Sequence, residues 1–133
     1  MIRVKKVLVI LLIFTLFSPL TSFAARMSEP EELDKLIKKI SERQSKNIKN
    51  FKKKVEAYFF ETQSPDVIEG LIKEFPPGEV VTILVVSNLS KWPVKNIVDM
   101  RKKEIDWRNI AGQVGVKLKA VVKEVKDFRL AVG

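Results

Sequence analysis

Between residues 28 and 62 apolar side chains return every three or four positions: Leu33, Leu36, Ile37, Ile40, Ile48, Phe51, Val55, Tyr58 and Phe59. At about 100° per residue they fall on one stripe, and a helix with such a stripe must bury it. The spacing predicts one long helix over 28–62, with Gln44 as the single polar interruption. Ser28 is the expected N-cap, Pro30 suits the first turn, and Glu31 and Glu32 complement the positive end of the helix dipole. A helix of this length packs across the rest of its domain or serves as a coiled-coil arm. The Leu33–Phe59 stripe is thus also a candidate surface for self-association or for a protein partner.

The opposite face is basic. Lys35, Lys38, Lys39, Lys46, Lys49 and Lys53 cluster there, with Arg43, Lys52 and Lys54 on its flanks, and only Glu42 interrupts the cations between Lys35 and Lys54. One reading is a solvated face that keeps the chain soluble. The other is a contact surface for a polyanion, and the six lysines are its candidate residues. Anionic lipid, an envelope polymer and nucleic acid would all be attracted.

The first residues narrow that choice. Arg3, Lys5 and Lys6 precede an apolar run from Val7 to Phe17, followed by Pro19 and by Ser22-Phe23-Ala24. This is the charged, apolar, small-residue order of a secretory signal peptide. The run is shorter than the about 20 apolar residues a spanning helix needs. Cleavage is expected after Ala24, giving a periplasmic or secreted product. Its loss takes away three cations and no acid, so the net charge falls from +9 to +6 over the remaining 109 residues. Three segments follow: 1–24 as signal peptide, 25–63 as the long cationic helix, and 64–133 as a small helical bundle. Such a compartment favours lipid or envelope polymer over nucleic acid.

The chain contains no His and no Cys. No disulfide can hold it, and neither Ser-His-Asp or Cys-His nucleophile chemistry nor zinc sites on those ligands can be built. No nucleotide loop or cofactor motif is present, so the expectation is a protein without cofactor that is not an enzyme. Carboxylate or Ser–Lys chemistry remains open in principle, but no spacing argues for it.

The rest reads as short helices, making the expected class all-α. Ser64-Pro65-Asp66 opens a helix carrying Val67, Ile68, Leu71 and Ile72, and Pro76-Pro77-Gly78 reads as the turn that ends it. Residues 79–89 are rich in β-branched side chains, which favours a strand. No other segment alternates to pair with it, so a buried central helix is expected. Further helices are expected over about 93–103, from Asp106 to Val114, and over 118–130. Core packing is the expected role of Trp92 and Trp107, with a partly exposed ligand platform as the alternative.

The most specific local pattern is Trp107-x-x-Ile110-Ala111-x-x-x-Gly115-Val116. It resembles the first helix and turn of a helix-turn-helix unit: Ala111 admits the second helix, Gly115 makes the turn and Val116 seals the elbow. The stretch from Ser64 to Val125 also resembles a helical module of small exported bacterial proteins that have no assigned activity. That resemblance implies a tri-helical, helix-turn-helix-like C-terminal part and no chemistry. Two functions follow: an envelope binding or structural module using the basic face, or a nucleic-acid-binding protein touching phosphates through Lys117, Lys119 and Lys123.

Overall fold

The computed structural model describes residues 26–133. The expected signal peptide and its cleavage point lie outside them. Seven α-helices are present among the described residues: α1 Glu29–Gln44, α2 Ile48–Phe59, α3 Pro65–Glu74, α4 Pro77–Ser90, α5 Val94–Lys102, α6 Trp107–Val114 and α7 Leu118–Val132. The protein is all-α.

The single N-terminal helix expected from the stripe is two. A 3-10 turn, Ser45–Asn47, separates α1 from α2. Asn47 leaves helical geometry and its side chain accepts a hydrogen bond from the Asn50 amide at 3.0 Å, so it caps α2. Asn competes for local backbone groups in this way, which favours caps over helix interiors. At the other end of α1, Ser28 and Glu31 form a reciprocal capping box. The hydrogen bond from the Ser28 hydroxyl, then that from its amide, hold the Glu31 carboxyl below its ordinary value.

The stripe lines the protein's own core. Leu33, Leu36, Ile40, Phe51, Val55 and Phe59 are buried with residues of every later helix. Pairing with a second chain through this stripe would require opening that core, so the coiled-coil arm gives way to internal packing. Helices α1 and α2 share one core with the bundle of α3 to α7.

Helix α4 is the centre. It packs against α1, α2, α3, α5 and α7, and every residue from Val80 to Ser87 is buried. A helix surrounded on all sides needs no polar face. The β-branched run is therefore helical, as the lack of a strand partner implied. Pro76-Pro77-Gly78 does more than end α3, whose C-cap Phe75 turns extended before Pro76. Pro76 precedes α4 and Pro77 is its first residue, a position where the missing amide donor costs nothing. Gly78 lies against α1, where a Cβ would fall onto the Ile37 carbonyl.

Three helices are tied by one polar cluster. Arg101 Nε pairs with Glu79 Oε1 at 2.9 Å, its terminal nitrogen donates to the Ile105 carbonyl at 2.8 Å, and its guanidinium lies 4.9 Å from the centre of the Trp107 ring. Trp107 donates to the other Glu79 oxygen at 3.4 Å. Trp107 is buried, as core packing predicts, whereas Trp92 is exposed. The Trp107 pattern folds as read: Asp106 caps α6, Ala111 is buried, and Gly115 adopts a left-handed conformation with φ 76°. The amides of Gly115 and Val116 both donate to the Ala111 carbonyl, closing the turn into α7.

Candidate polyanion-binding face

Helix α7 buries Val121, Val122, Val125 and Phe128 and packs along α1 and across α4. Its start lies near Glu32 and its end near Arg43 and Lys46, so it runs beside α1 in the same sense. The seam between the two helices forms three shallow depressions in a row. Lys117, Lys119, Lys123 and Lys126 surround Ala120 and Val122 in the first. Arg26, Lys35, Lys39, Lys126 and Arg129 line the second, over Met27 and Leu36. Lys39, Arg43, Lys46 and Arg129 line the third. Lys126 and Glu32 are shared by the first two, and Lys39 and Arg129 by the last two, which makes the strip continuous.

Acids on the strip are few. Glu32 meets Lys126 at 3.5 Å, and Glu42 lines the third depression. Asp127 pairs with Lys123 at 3.0 Å, and its hydrogen bond and charge raise the Lys123 pKa. Among the described residues, Lys35, Lys39, Arg43, Lys46 and Arg129 form no ion pair. Five unneutralised cations along one seam repel one another, and a bound polyanion relieves that repulsion.

The six lysines singled out from the sequence do not act as one group. All six are exposed. Lys35, Lys39 and Lys46 line the seam, while Lys38, Lys49 and Lys53 line none of its depressions. The break at Ser45–Asn47 separates Lys49 and Lys53 from α1, and their neighbour Lys52 turns to Glu69 on α3 at 3.0 Å. Sequence periodicity missed Lys126 and Arg129, which reach the seam only because α7 docks beside α1. Lys119, Lys123 and Lys126 are spaced for one helical face, and that spacing is the signal that would have placed α7 beside the α1 lysines.

The chemistry available on this seam is electrostatic attraction by ammonium and guanidinium groups over short apolar floors. Among the described residues there is no group of three His, Cys, Asp or Glu side chains placed to hold a metal ion. None of the described helices is long and apolar enough to cross a membrane. Comparison with known proteins finds no match to a family, a curated protein or a solved structure.

Proposed function

We propose that this is a small exported, non-enzymatic binding module of the cell envelope whose α1–α7 seam contacts a polyanion. The carrying observation is the run of Lys35, Lys39, Arg43, Lys46 and Arg129 on adjoining depressions without carboxylate partners. Export rests on the signal-peptide order of residues 1–24, and it favours anionic lipid or envelope polymer as the target. The protein should sediment with anionic vesicles or with long-chain polyphosphate at low salt and release from both as salt rises. Indifference to both at low salt would refute the polyanion contact. N-terminal sequencing of protein from fractionated cells tests export, with Ala25 as the expected first residue.

A nucleic-acid reading is favoured by one feature, the α6–Gly115–α7 turn, which presents Lys117, Lys119 and Lys123 on the exposed side of α7. The same helix is held on two sides by α1 and α4, leaving it less free to enter a groove than a recognition helix requires. Gel-shift titration against duplex DNA distinguishes the two readings.

A further inference from the structure

A second surface, where the α2–α3 link meets the last turn of α4, has a different chemistry. A cleft of 330 Å³ is lined there by Tyr58, Phe60, Thr62, Asn88 and Leu89. A neighbouring depression of 270 Å³ shares Thr62 and Asn88 and adds Gln63 and Trp92. The large side chains are exposed, Phe60 at 72%, Trp92 at 40%, Tyr58 at 39% and Leu89 at 37%. Scattered exposed apolar residues need no explanation, but a cluster around shared polar groups does.

The polar floor is pre-set. Gln63 Nε2 donates to Asn88 Oδ1 at 2.8 Å, Asn88 Nδ2 donates to Thr62 Oγ1 at 3.0 Å, and that hydroxyl donates to the Phe59 carbonyl at 3.3 Å. This chain fixes both amides and leaves the Gln63 side-chain oxygen and the second Asn88 N–H without a partner. The backbone of Trp92 is held from both sides: Ser87 Oγ donates to its carbonyl at 2.7 Å, and its amide donates to Ser90 Oγ at 3.1 Å. Lys91 accepts a left-handed φ of 66° to present it.

A dry protein contact would leave those amide valences unpaired, at a cost. A ligand with apolar C–H faces and many hydroxyl or amide groups satisfies rings and amides together. Charge narrows it further. The larger cleft carries Glu61 and Glu124 and the smaller depression carries Lys91, so charges of both signs line the joined site and neither favours a strongly charged ligand. We infer that this aromatic–amide cleft binds an uncharged oligosaccharide, with sugar rings against Trp92, Tyr58 and Phe60 and hydroxyl or acetamido groups on Asn88 and Gln63. The joining of the two depressions at Thr62 and Asn88 favours an oligomer over a single sugar. This site is independent of the polyanion seam.

The test uses the full chain and short oligomers of N-acetylglucosamine. Trp107 is buried, so a ligand-dependent change in tryptophan emission reports Trp92. The expected result is a saturable emission change that is insensitive to salt. Calorimetric titration should show binding weakened by about tenfold or more in Trp92→Ala, Phe60→Ser and Asn88→Ala. Phe60→Ser removes an exposed ring that the core does not use, and an unchanged far-ultraviolet circular dichroism spectrum of this variant separates lost binding from misfolding. Absence of any emission change overturns the inference, as does binding unaffected by Phe60→Ser. Self-association abolished by Phe60→Ser, with no response to saccharide, assigns the surface to a second copy instead and overturns it too.

Discussion

The Gly78 amide donates to the Ser41 hydroxyl at 2.9 Å, across 37 residues of sequence. Helix α4 has no side-chain cap of its own, because Pro76 stands at its N-cap. Ser41, from the last turn of α1, supplies one. It reaches because Gly78 lacks the Cβ that would strike the Ile37 carbonyl. Cap and close approach are therefore one device that sets the α1–α4 crossing.

Gly78→Ala should separate these helices. The obstruction is backbone on one side and a fixed Cβ on the other, so no rotamer relieves it. A loss of about 2 kcal/mol is expected, the middle of the range for overpacking. Ser41→Ala leaves the helix start uncapped and should cost about 1 kcal/mol. Urea unfolding followed by far-ultraviolet circular dichroism measures both, and a Gly78→Ala protein as stable as the parent would disprove the crossing.

The Glu79–Arg101 pair should behave as a coupled unit. Its side chains are 14% and 23% exposed, so its coupling falls below that of a fully buried pair. A double-mutant cycle with Glu79→Gln and Arg101→Met should give about 1–2 kcal/mol of interaction energy. Arg101→Met should also change Trp107 emission, since the guanidinium lies over that ring.

Tyr58 is the single tyrosine, so its phenol can be titrated by near-ultraviolet absorbance without interference. Burial, then the charges of Glu124 and Asp127, raise its pKa above the ordinary 10.0. A raised folded value means the stabilising difference is fully present below the unfolded value and is lost as pH rises through the folded one. Stability should accordingly fall at alkaline pH, above the ordinary phenol range. Glu124→Gln should move the titration back towards 10.0.

Position rather than net charge should govern polyanion binding. Lys39→Glu with Arg129→Glu reverses two cations shared by adjoining depressions. Lys49→Glu with Lys53→Glu changes net charge equally but on α2. The first pair should strongly weaken vesicle and polyphosphate binding at low salt and flatten the salt dependence of what remains by about 1–2 in log–log slope. The second should leave most of it. Equal losses would mean that overall charge alone attracts the ligand.

Lys91 holds a left-handed conformation at the end of α4, which suits glycine. Lys91→Gly should raise stability by about 0.5–1 kcal/mol. Gly115→Ala should lower it by about 1 kcal/mol, for φ is 76° there while nothing crowds the added Cβ.

Local signals in the sequence carried far. Ser28, Ser64 and Asp106 cap the helices they precede, Gly115 makes its turn, and the unpaired β-branched run is a buried helix. One local reading failed and another was incomplete. The stripe ran through Ser45-Lys46-Asn47, where the chain stops one helix and caps the next, and Pro76-Pro77-Gly78 ends one helix as read but also opens another. The apolar gap between Ile40 and Ile48 was the trace of the first break. The seam was half legible: Lys35, Lys39 and Lys46 stood in the periodicity, but Lys126 and Arg129 join them only through docking of a helix more than seventy residues further on. Of the Trp92 cleft's exposed side chains only Tyr58 stood in the periodicity, because the others come from the link after α2 and from the end of α4 and the residues just beyond it.

Helix α4 also governs the order in which the chain can become a protein. Its surroundings come from both ends of the sequence, from Leu33 in α1 to Phe128 in α7. A ribosome-bound chain that has yet to release α7 leaves the apolar rod from Val80 to Val86 incompletely covered. Such an intermediate is aggregation-prone. Removal of α7 should therefore yield insoluble material rather than a smaller folded domain.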